Sequence, residues 1–166
     1  MLAAAVLVSV LSLVPSAGAA TRGAAKGSAS QSTGGYVGAV VRLVNAQRAA
    51  AGLAPVSADR RLARAARRFS RDMVRQRFFD HVSPHGSTVG QRVRKAGFTG
   101  RGVAETIAWG AGPNGTPETI VAMWMASAGH RAILMSGGYR RIGVGVASGS
   151  PAGLAAAKTV TADFGT

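Results

Sequence analysis

The 166-residue chain has no cysteine, and both aromatic and acidic residues are scarce. The absence of cysteine excludes a disulfide framework, a thiolate metal site and a cysteine nucleophile. Aromatic residues make up only 5% of the chain, yet 47% of it is hydrophobic, which excludes an intrinsically disordered protein. The 23 glycines follow no three-residue period, which excludes a collagen-like chain. The length is enough for about one domain with its own hydrophobic core.

The charge of the chain is strongly one-sided. Six Asp and Glu residues stand against 20 Lys and Arg residues, which gives a formal net charge of +14. A folded protein with this balance attracts anions such as nucleic acid, anionic lipid or the acidic polymers of a cell wall. The compartment in which the protein works decides among these partners.

The N-terminal segment predicts export. Residues 1–20 carry no charge, and the apolar run at residues 2–14 is shorter than the roughly 20 residues that span a membrane. Small residues at positions 17–19 fit the cleavage site of a secretory signal peptide. We therefore expect a signal peptide at residues 1–20, a flexible Ser/Gly/Ala linker at residues 21–35 and one folded domain at residues 36–166. A buried N-terminal helix is the alternative interpretation of the apolar run.

Export places the mature protein outside the cell or in the cell envelope. This location argues against nucleic acid as the partner and favours a lipid or a polymer of the envelope. We also expect no transmembrane segment and a monomeric protein.

Helical periodicity dominates the first half of the mature chain. Apolar residues three and four apart predict a helix from Tyr36 that ends near Gly52. A second helix is expected to start at Asp59, because its carboxylate suits a helix N-terminus. The apolar residues of this second helix fall on one face: Leu62, Ala65, Ala66, Phe69 and Met73.

The opposite arc of the second helix is rich in arginine. Six of its arginines form a surface that we call the arginine face: Arg60, Arg64, Arg67, Arg68, Arg71 and Arg75. Because so many positive charges lie on one arc, we predict that the arginine face binds anionic surfaces. The alternative is a face that is merely solvated.

The second half of the chain combines short helices with strands. We expect a short helix at residues 88–96, a strand at 103–109, a helix at 116–126 and strands at 142–146 and 159–164. Several helices followed by a few strands indicate an α+β fold in one domain.

Four segments of the chain carry motifs, in this order: Val44-Asn45-Ala46-Gln47-Arg48, Asp80-His81-Val82-Ser83-Pro84, Ala104-Glu105-Thr106-Ile107 and Ser127-Ala128-Gly129-His130-Arg131. The tail adds Arg141-Ile142-Gly143-Val144-Gly145 and Asp163-Phe164-Gly165. Together these segments closely resemble the CAP superfamily (cysteine-rich secretory proteins, antigen 5, pathogenesis-related 1), and most of all its short, Cys-free bacterial branch. The resemblance extends over residues 37–164.

The resemblance implies an α-β-α sandwich, with a small antiparallel sheet between helical layers. It also implies a cleft lined by two histidines and two glutamates, to which His81, Glu105 and His130 correspond. Many relatives have the second glutamate where this chain has Ser127, so the full set of four is not present. The resemblance makes His81, His130 and Glu105 candidate ligands for a divalent metal such as Zn²⁺, which accepts two imidazoles and a carboxylate with water in an open position.

The cleft residues have second interpretations. A carboxylate in an apolar stretch needs charged or hydrogen-bonding partners, so Glu105 can instead hold the fold together through a histidine. Ser127 is a candidate nucleophile because it lies three residues before His130, but it also fits the N-cap of the next helical turn. We expect His81 and His130 to face each other, with Glu105 hydrogen-bonded to one of them.

These features favour a secreted binding module without catalytic residues, whose ligand is a lipid, a small apolar molecule or an envelope component. The chain has no Gly-x-Ser-x-Gly nucleophile motif, which would be typical of an α/β-hydrolase. The alternative is a metal-assisted hydrolase that acts on peptide or cell-wall material at His81, Glu105 and His130.

Overall fold

The computed structural model describes residues 33–166. The signal peptide expected at residues 1–20, and the expected linker as far as residue 32, lie outside the described residues. The first helix begins at Thr33, earlier than the predicted start at Tyr36. The last residues assigned to the linker are therefore helical.

Helices and strands appear close to the bounds predicted from the sequence. In chain order they are α1 (Thr33–Ala50), β1 (Ser57–Ala58), α2 (Arg60–Gln76), α3 (Val89–Lys95), β2 (Val103–Ala111), a 3-10 turn (Gly112–Gly115), α4 (Pro117–Ala126), α5 (Ala128–Leu134), β3 (Arg141–Ser148) and β4 (Ala157–Gly165). Strand β1 was not expected, because two residues are too few to show a periodicity. Helix α5 was expected only as a helical turn after Ser127. None of these helices is long and apolar enough to cross a membrane.

The four strands form one sheet between two helical layers. The strand order is β1-β3-β4-β2. Strand β4 pairs antiparallel with both β2 and β3, whereas the short β1 runs parallel to β3. Helix α2 packs on β3 and β4, while α1 and α4 pack together and contact the strands from the other layer. The predicted α+β class and α-β-α layering are confirmed; β1 makes the sheet mixed rather than fully antiparallel.

Glycines in β3 let α2 lie directly on the sheet. A Cβ atom added at Gly143 would stand 2.0 Å from the backbone nitrogen of Ala63, and one at Gly145 would stand 2.1 Å from that of Arg67. Such distances are incompatible with any side chain, so helix and strand touch backbone to backbone. The hydroxyl of Ser70 uses this closeness to donate to the carbonyl of Gly145 at 3.2 Å.

The larger hydrophobic core lies on the other side of the sheet. It joins α1, α4 and the alternate residues of β3 and β4 that face away from α2, among them Ile142, Val144 and Phe164. Trp124 of α4 is fully buried there. The apolar residues predicted for α2 are all buried, and all of them except Ala66 pack beneath the helix in two smaller clusters.

Two motif residues of α1 tie the core to neighbouring loops. The Asn45 side-chain amide donates to the carbonyl of Val56 at 3.0 Å and accepts from its N–H at 2.9 Å. Arg48 is fully buried and donates to the carbonyls of Ala54 at 2.9 Å, Leu134 at 2.7 Å and Ser136 at 2.9 Å. The Asn-x-x-Arg motif is therefore a structural clamp, and it holds the end of α5 against α1.

Candidate functional site

The loop after α2 brings His81 to Glu105. Helix α2 ends at Gln76, and the next residue, Arg77, adopts the left-handed conformation with φ 53° and turns the chain into this loop. Glu105 lies on β2 with its side chain only 2% exposed. His81 Nδ1 and Glu105 Oε1 are 2.9 Å apart, and the imidazole is half exposed at the surface. The expected contact between Glu105 and one of the histidines is therefore present.

Arg92 holds this pair in place from α3. Its Nη2 donates to Glu105 Oε2 at 2.6 Å, and its Nη1 donates to the main-chain carbonyls of His81 at 3.1 Å and Ser87 at 2.6 Å. The guanidinium also lies over the ring of Phe69, 3.4 Å from its centroid. Both oxygens of Glu105 are thus engaged, one by an imidazole and one by a guanidinium.

Sequence reasoning missed Arg92. The residue belongs to none of the motifs and is one of many arginines in a highly basic chain. Its side chain is only 10% exposed, unlike those of the arginine face. The sequence signal that was available is the apolar stretch around Glu105, since a buried carboxylate requires a cation or hydrogen-bond donors.

His130 lies opposite His81. The two ring centroids are 6.2 Å apart, with the ring planes inclined by 56°. His130 belongs to α5, and Ser127 occupies the N-cap position of that helix. The Ser127 side chain makes no capping hydrogen bond, and within residues 33–166 it makes none to either histidine. The structure therefore supports neither of the two roles considered for the Ser127 hydroxyl.

The pKa values of the two histidines are shifted in opposite directions. The hydrogen bond to Glu105 raises the pKa of His81, although burial acts against it. Burial lowers the pKa of His130, and the nearby His81 lowers it further. As the pH falls, His81 is thus protonated first, and its imidazolium faces a neutral His130.

A second buried carboxyl lies beside Glu105. Asp163 on β4 is the cross-strand neighbour of Glu105 and is fully buried. Within residues 33–166, neither carboxyl oxygen of Asp163 has a hydrogen-bond partner. Burial raises the pKa of Asp163 well above its ordinary value, the charge of Glu105 raises it further, and Arg92 partly opposes this rise. Burial and the negative charge of Glu105 therefore favour the neutral, protonated form of Asp163.

The three candidate metal ligands do not form a preorganised site. Glu105 is committed to His81 Nδ1 and Arg92, which leaves two imidazoles facing each other without a third ligand. Across residues 33–166, no group of three His, Cys, Asp or Glu side chains is arranged to hold a metal ion. A catalytic zinc site requires three protein ligands and an open position, and the residues here do not fit that requirement.

The arginine face and the rim of the cleft are both exposed. All six arginines of the face are solvent accessible along α2. Two apolar side chains, Phe79 and Val82, flank His81 in the loop and are nearly half exposed. The domain therefore has two separate exposed surfaces, one charged and one apolar.

The α-β-α sandwich and the cleft of His81, Glu105 and His130 agree with what the resemblance to the CAP class of domain implied. The profile of the CAP family, described as the cysteine-rich secretory protein family, matches residues 41–163. The chain therefore belongs to the CAP family.

Comparisons with known proteins agree with this family. The protein YkwD of Bacillus subtilis (strain 168), itself described as uncharacterized, is 39% identical over 124 residues, which is 74% of this chain and 47% of that protein. The chain thus spans about half the length of this relative.

Solved structures share the fold. An extracellular protein containing an SCP domain from Bacillus anthracis str. Ames superposes with a TM-score of 0.70 and 26% identity, over 80% of this chain and 41% of that one. An outer surface protein of Borrelia burgdorferi superposes with a TM-score of 0.66 and 19% identity, over 76% and 89% of the two chains.

Proposed function

We propose that this chain is an exported CAP domain that works outside the cell as a binding module without bond-breaking activity. The observation that carries the proposal is the engagement of Glu105 by both His81 and Arg92. A carboxylate with both oxygens bonded, and with a side chain 2% exposed, is poorly placed to take a proton from a water or to ligate a metal. The cleft therefore serves to shape a surface rather than to cleave a bond.

Two surfaces supply the binding. The arginine face attracts anionic groups of the cell envelope, such as lipid headgroups or wall polymers, because its positive charges are exposed and close together. The apolar rim at Phe79 and Val82 offers contact to the hydrocarbon part of a lipid or to a small apolar ligand. The names of relatives described as extracellular and outer surface proteins support a location outside the cell.

The test of binding is retention on isolated cell envelope. Purified mature protein is mixed with envelope at about 0.05 M and about 0.3 M salt, and the bound fraction is measured by sedimentation. Because exposed charges are screened more strongly at higher salt, binding through the arginine face should fall at 0.3 M. No retention at low salt would refute the proposal. N-terminal sequencing of protein from culture supernatant tests export, and recovery of only the intact chain inside cells would count against it.

The alternative function, metal-assisted hydrolysis, has one observation in its favour, the 6.2 Å separation of the His81 and His130 rings. Release of peptide or wall fragments is measured with the wild type and with His81→Ala, Glu105→Gln and His130→Ala, with and without added Zn²⁺. The binding-module proposal expects no release above background from any of them. Release by the wild type that is lost in all three variants would establish the hydrolase instead.

A further inference from the structure

A groove runs between α2 and α3, beside the histidine cleft, and Arg92 belongs to both. Its volume is about 450 Å³, and neither His81, Glu105 nor His130 lines it. Arg64 and Arg68 of α2 form one wall, and Lys95 of α3 lies on the other. The volume falls within the range of small-molecule sites, which is about 300–1,000 Å³.

Three of the cations that line the groove lack acidic partners. Within residues 33–166, no carboxylate forms an ion pair with Arg64, Arg68 or Lys95. Asp72 is the acidic residue of the lining, and it is paired with Arg75 at 3.1 Å. Two walls of one sign, separated by a concave space, concentrate the positive potential inside it.

The floor of the groove is rigid. Phe69 is buried beneath Arg92, whose guanidinium is fixed by Glu105 and two main-chain carbonyls. At the edge of the groove, Gln91 accepts a hydrogen bond from the N–H of Thr88 through its carbonyl oxygen. The Gln91 amide NH₂ has no acceptor among the described residues and remains available to a ligand. The groove thus combines a fixed floor with exposed cations and a free donor.

We propose that the groove between α2 and α3 binds a linear ligand that carries two or more phosphate groups. This inference rests on the proposed anion-binding function and assigns it a particular site and ligand class. Arg64 and Arg68 are one helical turn apart, a rise of about 6 Å, so they present a repeated charge to successive anionic groups. Because cations stand on both walls, a chain lying between them contacts both, whereas a flat bilayer meets only the outer tips. The geometry therefore favours a soluble or polymeric polyphosphate over a membrane surface.

The experiment compares two triple variants with the same loss of charge. The groove variant is Arg64→Gln/Arg68→Gln/Lys95→Gln. The control variant is Arg60→Gln/Arg67→Gln/Arg71→Gln, which removes three exposed arginines from the rest of the arginine face. Two of them, Arg67 and Arg71, lie toward β3 on the other flank of α2. Tripolyphosphate is titrated by calorimetry at about 0.1 M salt, where the screening length is about 10 Å. Vesicles of phosphatidylglycerol and phosphatidylcholine form a second arm, and urea unfolding checks that both variants are folded.

The groove variant is expected to bind tripolyphosphate at least about tenfold more weakly than the wild type, and the control variant at most about threefold more weakly. If both variants bound tripolyphosphate equally weakly, the groove would be ruled out as the site, and binding would be assigned to the arginine face as a whole. Binding of wild type to phosphatidylglycerol vesicles but not to tripolyphosphate would also overturn it, in favour of a membrane surface. Absence of both interactions would refute the groove and the proposed anion binding together.

Discussion

Replacing Arg92 by Met tests whether the guanidinium holds the candidate site together. The variant removes the 2.6 Å ion pair with Glu105, two hydrogen bonds to carbonyls and the contact with the Phe69 ring. Loss of one partner from a buried ion pair costs about 3–5 kcal/mol, because the remaining charge stays buried without compensation. We therefore expect the free energy of unfolding at pH 7 to fall by about 3–5 kcal/mol.

Urea unfolding, followed by tryptophan fluorescence, measures this loss. The matched control is Arg94→Met, an exposed arginine of the same helix, which should change stability by no more than about 0.5 kcal/mol. The double variant Arg92→Met/Glu105→Leu removes the orphaned charge and should recover much of the loss. A loss below about 1 kcal/mol for Arg92→Met, or a double variant no more stable than the single one, would refute the reasoning.

Three further substitutions test other parts of the fold by urea unfolding. Arg48→Met should lower the free energy of unfolding by about 2–4 kcal/mol, because the carbonyls that Arg48 binds lose their hydrogen-bond donor. A change below about 1 kcal/mol would contradict the role of Arg48 as a structural clamp. Asp163→Asn mimics the protonated carboxyl. Since the folded pKa of Asp163 lies above its ordinary 3.8, the native state holds a proton that the unfolded state releases, and the wild type loses stability as the pH rises. The stability of Asp163→Asn relative to the wild type should therefore increase from pH 4 to pH 7. A stability difference that does not change with pH would argue against a raised pKa of Asp163. Gly145→Ala should lower the free energy of unfolding by about 1–3 kcal/mol, because the added Cβ forces α2 away from the sheet. The control Gly129→Ala, whose Cβ would meet open space, should leave stability unchanged or raise it. Equal effects of the two substitutions would refute the close contact.

Much of the fold could be predicted from local patterns. Asp59 begins α2 as expected, accepting hydrogen bonds from the N–H groups of Arg61 at 2.8 Å and Leu62 at 3.1 Å. The glycines of β3 alternate with larger apolar residues, a pattern that is typical of a strand and that predicted this one. Capping and alternation depend on residues a few positions apart, so they remain visible without a tertiary structure.

The candidate site was predictable only in part. The motifs, through their resemblance to a known family, brought His81, Glu105 and His130 into one cleft, and the contact between His81 and Glu105 is present. The same resemblance suggested that Glu105 is a metal ligand, whereas its second oxygen is taken by Arg92. A motif shows which residue types recur at which positions, but it does not show which partner each carboxylate oxygen binds.

The sequence by itself determined the class of the fold, the amphipathic character of α2 and the strongly positive surface, because each follows from composition or from short periodic spacing. Only the tertiary structure decided that one arginine, Arg92, is a buried partner of Glu105 while its neighbour Arg94 remains exposed. It also placed Asp163 opposite Glu105, through a strand register that joins positions far apart in the chain. The physical reason is that ion pairing and burial depend on distances across the sheet and between helices, and these distances are fixed only when the whole core packs.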